Sequence, residues 1–302
     1  MPKHPYAAAT TLALTTAAIS GVANFLNKSA VAAVQGPIFF TTMKNTTVAV
    51  TLIGLVLIFR QWREISRLHR GQWLRLFAVG VVGGSLPFAL FFTGLTQTSA
   101  INASLIHKTL VLWVVLLAVP LLKERVSPLQ GLGIAAVFGA NLLVGGFTGF
   151  KYNAGEVMIV AATLLWAVEN VIAKRTLADV SSLTVSAARM VVGSVLLFAL
   201  LAWRGEAGRV LELTAAQWGW VALTGALLTG YVLTWYAALK RAPATYVATL
   251  LVPATLVTNI LSAVFVTHAL TTQEVQGVLL FILGTILAIR YTRHGARINA
   301  AA

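Results

Sequence analysis

No cysteine occurs among the 302 residues of this chain, which excludes disulfides, thiolate metal sites and thiol catalysis. Acidic residues are nearly as scarce, with eight Asp and Glu against 22 Lys and Arg. They form no paired carboxylates near one face of the kind acid–base catalysis needs. The histidines (His4, His69, His107, His268 and His294) show no metal-ligand spacing, and no serine nucleophile motif is present. An enzyme, a metal site and a bound cofactor are therefore not expected. Charge itself is thin: charged residues make up 10% of the chain, where a soluble domain carries about 25%.

What is abundant is apolar sequence, at 58% of positions. It comes in long runs separated by short polar or basic breaks, each run near the roughly 20 residues needed to cross a hydrocarbon core. The runs predict ten spans, over 6–27, 37–59, 73–96, 98–121, 127–147, 155–176, 183–203, 217–239, 243–266 and 271–291. The expected fold is an all-α polytopic membrane protein. Lys3 followed by an apolar stretch resembles a signal peptide, but the first run has a counterpart in mid-chain that is no leader.

The net charge of +14 does not point to nucleic acid, because the basic residues sit at run ends. With the N-terminus in the cytoplasm, fifteen Lys and Arg fall on that side and four (Lys28, Lys151, Arg204 and Arg209) on the other. The positive-inside rule then sets both termini in the cytoplasm of a plasma membrane, the inner membrane of a bacterium.

The two halves resemble each other. Val22-Ala23-Asn24-Phe25-Leu26-Asn27-Lys28 matches Val168-Glu169-Asn170-Val171-Ile172-Ala173-Lys174 at a shift of 146. Lys44 matches Arg189 at a shift of 145, and at 144 Phe92 falls on Tyr236, Leu95 on Leu239 and Gly133 on Gly277. Residues 1–150 and 151–302 thus read as two five-helix repeats in one integrated membrane domain. An odd number of helices per repeat inverts the second, a pattern associated with alternating-access transporters.

Several stretches resemble the drug/metabolite transporter superfamily, specifically its EamA-type exporters. The run Pro120-Leu121-Leu122-Lys123-Glu124-Arg125-Val126-Ser127-Pro128-Leu129-Gln130-Gly131-Leu132-Gly133 is similar to the family's Leu-Gly-Glu-Arg-Leu-Ser-x-x-Gln-x-x-Gly junction between the fourth and fifth helices. The Asn24/Lys28 and Asn170/Lys174 pairs, and the cation in each second helix, also fit. The chain departs from the pattern at Lys44 (usually Arg), at Lys123 (for Gly) and at Thr267-His268-Ala269-Leu270, which lacks the family's Glu. Within the superfamily it looks most like the YddG-type aromatic amino-acid exporters. The resemblance implies export of amino acids, aromatic ones favoured, and related metabolites. A cationic-drug exporter and a nucleotide-sugar-type carrier share the fold and stand as alternatives. The expected partners are the bilayer and a small-molecule substrate, and the reading is compatible with a monomer.

Ionisable residues inside a membrane are costly and rank as functional candidates. Glu169 and Arg189 both lie roughly 10 Å into their spans at 1.5 Å per residue, which suggests a structural ion pair. Lys44 has Ala23 at the matching place, so it either meets a substrate carboxylate or bonds helix-end carbonyls. Lys108, near the midplane beside His107, is expected at the centre of a binding cavity, opposite a kink at Pro253 whose freed carbonyls accept from its ammonium. The competing explanations are that Lys108 bonds internal carbonyls purely for packing and that His107 is a satisfied structural residue. Aromatic candidates for the cavity are Trp166, Tyr231, Trp235 and Tyr246. Asn24, Asn102 and Asn170 either bond substrate or join helices. Gly83, Gly84, Pro87, Gly230 and Pro253 are the expected hinge and kink positions. Ordinary helix packing remains the competing explanation for each aromatic residue.

Overall fold

The computed structural model describes residues 6–98, 100–144, 153–268 and 272–300. Lys3, Lys151 and Tyr152 fall outside them. Among the described residues every regular element is helical. The first half contains α1 (Ala7–Val34), α2 (Pro37–Ile58), a short α3 (Trp62–Ile65) and α4 (Arg70–Val79). A π-helical turn, Gly80–Ser85, joins α4 to α5 (Leu86–Leu95), and α6 (Ala100–Lys108), α7 (Leu110–Leu122) and α8 (Pro128–Val144) follow. The second half contains α9 (Ala154–Thr176), α10 (Ser182–Trp203), α11 (Ala215–Arg241), α12 (Ala244–Leu251), α13 (Ala254–Ser262) and α14 (Thr272–Ala300).

Among the described residues, eight stretches are long and apolar enough to cross a membrane: Ala7–Asn27, Pro37–Ile58, Arg70–Leu95, Leu105–Leu122, Ala154–Thr176, Ser182–Trp203, Ala215–Arg241 and Ala244–Val266. Two shorter apolar helices, Pro128–Leu143 and Val275–Leu287, fall where the fifth and tenth spans are expected. Three second-half helices start at a side chain that satisfies an otherwise unpaired helical N–H. Asn153 accepts from Glu156, Ser181 from Thr184 and Thr214 from Gln217.

Helices of the two halves pack largely on each other. α1 lies against α11 and α13, α2 against α10 and α11, α5 against α9, and α8 against α14. Small residues permit the closest of these approaches, as in other membrane helix bundles. At Gly84 an added Cβ would lie 2.1 Å from the Arg189 carbonyl oxygen, and at Gly193 one would lie 2.3 Å from the Gly84 oxygen. No larger residue fits either position without moving backbone.

The expected kinks divide. The chain changes register at Gly80–Ser85, and Pro87 explains why. Proline has no N–H, so the carbonyl four residues earlier, that of Gly83, loses its helical donor. A second break falls at Pro253, between α12 and α13. There the freed Thr249 carbonyl is taken by the Val252 N–H at 3.3 Å rather than by a lysine. A third break, at Thr109 between α6 and α7, has no proline. Thr109 folds back locally, donating to the Ile106 carbonyl at 2.6 Å and accepting from Trp113 Nε1 at 3.0 Å. Gly230, expected as a hinge, sits inside the unbroken α11. Its missing side chain makes room for Ile19 of α1, whose Cδ1 lies 3.2 Å from where a Cβ would be.

Candidate functional site

The Gly83 carbonyl that Pro87 frees is not left bare. It accepts from Trp166 Nε1 at 3.1 Å and from Arg189 Nη2 at 3.1 Å. One interrupted helix thereby fixes two side chains from α9 and α10. Glu169, one turn along α9 from Trp166, packs directly over Gly83, where an added Cβ would sit 2.4 Å from its Cγ. Tyr236 of α11 donates its hydroxyl to Glu169 Oε1. Four helical elements meet at this cluster, and a cavity of about 130 Å³ opens beside it. That is room for several waters, since one water needs about 10–15 Å³ measured in the same way.

Lys44, Glu169 and Arg189 are the Lys, Arg and Glu side chains that line the cavity. Glu169 and Arg189 do share this site, but not as the direct ion pair expected. Among the described residues the salt bridges closer than 4.0 Å are Arg75–Asp179, Arg204–Glu206 and Arg209–Glu206. The Tyr236 hydroxyl occupies Glu169 instead, while the Arg189 guanidinium lies 5.8 Å from the centre of the Tyr236 ring. Lys44 is 4% exposed and has rings around its ammonium. Nζ lies 5.0 Å from the Phe40 centroid, 5.0 Å from Phe92 and 5.9 Å from Phe88. Ring quadrupoles attract a cation without neutralising it.

The rest of the lining is aromatic or amide. Phe88 and Phe91 meet the Trp166 ring at 5.4 and 5.6 Å, and His107 meets it edge-on at 4.9 Å. Tyr231 stacks on Trp235 at 6.0 Å across the cavity lining. Asn24, Asn27 and Asn170 add amides. Buried polar atoms are nearly always hydrogen-bonded in folded proteins. Yet Asn27 Oδ1, Asn170 Oδ1, His107 Nδ1 and Arg189 Nε have no protein partner, and all four belong to cavity residues.

Of the residues singled out in the sequence, Lys44, His107, Trp166, Tyr231, Trp235, Asn24, Asn170, Glu169 and Arg189 meet at this cavity. Lys108, Asn102 and Tyr246 do not. Neighbouring helical residues point about 100° apart, and α6 turns His107 to the cavity while Lys108 is buried away from its lining. Asn102 instead donates to Glu156 at 2.7 Å, and the Tyr246 hydroxyl lies 2.7 Å from Thr10 Oγ1. The side chain of Lys28 lies outside the described residues. Asn27, Phe88, Phe91 and Phe92 complete the site without having been singled out. Their helical spacing, Phe88/Phe91/Phe92 and Asn24/Asn27, was the available signal.

The ends of the bundle are tied across the two halves. At one end, Glu124 accepts from the backbone N–H groups of Ala244 at 2.6 Å and Thr245 at 3.0 Å, and from the Thr245 hydroxyl at 2.8 Å. It caps α12, whose residues are buried throughout. Lys174 grips the preceding turn through the Leu239 and Ala242 carbonyls, at 2.6 and 2.7 Å. Beside it, Glu64 accepts from Ser181 and Thr184, and Arg75 pairs with Asp179 at 2.6 Å. Burial raises the Glu64 carboxyl, but the Ser181 and Thr184 hydroxyls, the Ser181 N–H and nearby Lys240 outweigh it and hold it below the usual value. At the opposite end, Arg209 donates to the Gln35 carbonyl at 2.6 Å and Gln217 to that of Ala33 at 3.0 Å.

Comparison with known proteins fits this architecture. The model of the EamA-like transporter family matches the chain twice, over residues 8–146 and 153–290. The chain belongs to the EamA-like transporter family. Relatives are known by name as transporters only. The transporter is 27% identical over 266 residues to the uncharacterized transporter YyaM of Bacillus subtilis, covering 84% of this chain and 86% of that one. An uncharacterized transporter of Archaeoglobus fulgidus is 27% identical over 193 residues, 62% of this chain and 65% of its own. One of Methanothermobacter thermautotrophicus is 31% identical over 123 residues, 39% of this chain and 36% of its own. A solved crystal structure shares the fold with a TM-score of 0.75 at 19% identity, covering 95% of this chain and 98% of that one.

Proposed function

We propose that the transporter exports amino acids, aromatic ones favoured, and related metabolites from the cytoplasm by alternating access. The observation that carries this reading is the mixed chemistry of one cavity wall. Lys44 and Arg189 supply positive charge suited to a carboxylate. Asn27 and Asn170 carry unpartnered amide oxygens suited to an ammonium group. The Phe88, Phe91, Trp166 and Tyr231 rings suit a flat apolar side chain. A zwitterion with an aromatic side chain answers all three.

In this reading ten spans form two inverted five-helix repeats with both termini in the cytoplasm of the bacterial inner membrane. The double match to the family model supports it. So do the breaks at Thr109 and Pro253, which stand 144 positions apart, the shift seen in the sequence. The test is counterflow in proteoliposomes with labelled phenylalanine, tryptophan, threonine and a nucleotide sugar, with and without a pH gradient. The expected result is exchange of the aromatic amino acids. Absence of exchange with every amino acid would sink the proposal.

A second reading, export of cationic drugs, is favoured by one observation. Glu169 lines an aromatic cavity with, among the described residues, no basic nitrogen of a Lys, Arg or His within 4.0 Å of its carboxylate. A labelled quaternary ammonium compound in the same assay separates the two, and its exchange in place of phenylalanine would select the second.

A further inference from the structure

The basic segment between α2 and α4 is not explained by transport through the cavity. Arg60, Arg63, Arg67 and Arg70 are all exposed. None of them joins a salt bridge among the described residues. The one carboxylate in the segment, Glu64, is turned inward onto Ser181 and Thr184. Ile65 and Leu68 also pack inward, so the segment shows the protein its acid and its apolar side chains and shows the membrane surface its arginines. Arg63 lies over the exposed Trp62 ring at 5.5 Å, an arrangement that keeps both at an interface.

A groove follows directly. It is lined by Arg70, Gly71, Trp73, Leu74 and Phe77, the first two turns of a helix that is long and apolar enough to cross the membrane. Positions 70, 73, 74 and 77 repeat at the spacing of one helical face. Trp73, Leu74 and Phe77 are 49%, 70% and 53% exposed. The same face therefore carries a cation at the surface end and a stripe of uncovered apolar side chains running inward. Its neighbour Arg75 points elsewhere and is paired with Asp179. A positively charged head with an apolar track beneath it has the shape of one molecule class.

We propose that this face binds an anionic glycerophospholipid from the adjacent leaflet. Its phosphate lies against Arg70 and Arg67, and an acyl chain lies along Trp73, Leu74 and Phe77. The charge complementarity commits the site to an anionic lipid rather than to a zwitterionic one. The apolar stripe commits it to a lipid rather than to free phosphate. Bound there, the lipid braces the segment that delivers Glu64 to the start of α10.

The test uses the purified full-length transporter in detergent, titrated with dioleoylphosphatidylglycerol, dioleoylphosphatidylcholine or inorganic phosphate. Bound lipid is counted by native mass spectrometry. Two extra arginine contacts predict roughly tenfold or greater preference for phosphatidylglycerol over phosphatidylcholine. The R67Q/R70Q double variant should bring the two lipids to within about twofold, while R204Q at the opposite end keeps the preference. Trp73→Ala should weaken retention of phosphatidylglycerol with the arginines intact. All substituted side chains are exposed or half-exposed, and size-exclusion profiles check that each variant stays folded. Equal binding of the two lipids, an unchanged preference in R67Q/R70Q, or displacement of the lipid by millimolar phosphate would each overturn the proposal.

Discussion

A lysine surrounded by phenylalanine rings is chemically different from a lysine in a salt bridge. The rings around Lys44 offset part of the cost of burial but leave the charge free to attract an anion. Lys44→Met should therefore lower kcat/KM for carboxylate substrates by at least about tenfold, since a charged hydrogen bond contributes about 1.5–3 kcal/mol. Ala23→Glu, which supplies a carboxylate on the cavity wall, should weaken carboxylate uptake in the same assay. Unchanged counterflow in both variants would remove Lys44 from the substrate route. The neighbouring pair on α6 makes a contrasting case. His107→Ala should impair exchange, because His107 lies on the cavity, and Lys108→Ala should affect folding yield more than transport.

At the scale of elements, the interrupted third span matters most. Pro87 removes a donor, the helix takes a π turn, and the freed Gly83 oxygen becomes the anchor for Trp166 and Arg189. Gly83→Ala would press a methyl group into Glu169 and should destabilise the protein by about 1–3 kcal/mol, read as a lower melting temperature. The Glu64 tie between α3 and the start of α10 is sensitive to acid. Its carboxyl is held below the usual value, so its stabilisation is present at neutral pH and is lost as pH falls through that lowered value. Glu64→Gln should melt about 2 °C or more below wild type at pH 7. That gap should close on acidification below about pH 4. A gap constant across pH would show that the ionised form is not what binds Ser181.

For the whole molecule, the end ties join the two halves at one end of the bundle. Glu124 comes from the first half and caps α12 of the second, and Lys174 holds the turn before it. Glu124→Ala removes three hydrogen bonds at once and should make the α11–α12 turn reactive. Because the chain has no cysteine, Ala242→Cys gives a background-free reporter whose maleimide labelling should rise in the Glu124→Ala variant. The same property tests orientation. In intact cells Glu206→Cys should react with an impermeant maleimide and Ser66→Cys should not.

The sequence by itself determined the class of molecule. Runs of about 20 apolar residues leave a helical membrane protein as the solution, because lipid offers no partners to an unpaired backbone. The junction around Glu124 and the Asn–Lys pairs carried the family, and of the intramembrane ions Lys44, Glu169 and Arg189 line the cavity while Lys108 does not. Even the Gly83 anchor was half legible, since a proline at position 87 frees the carbonyl at 83 wherever that carbonyl points. Only the tertiary structure decided which of two adjacent residues, His107 or Lys108, lines the cavity, because helix rotation depends on every neighbouring contact. It also gave Glu169 the hydroxyl of Tyr236, a residue from another helix 67 positions away, in place of a direct salt bridge to Arg189. Depth along a helix can be counted from sequence; azimuth and partners across helices arise from packing.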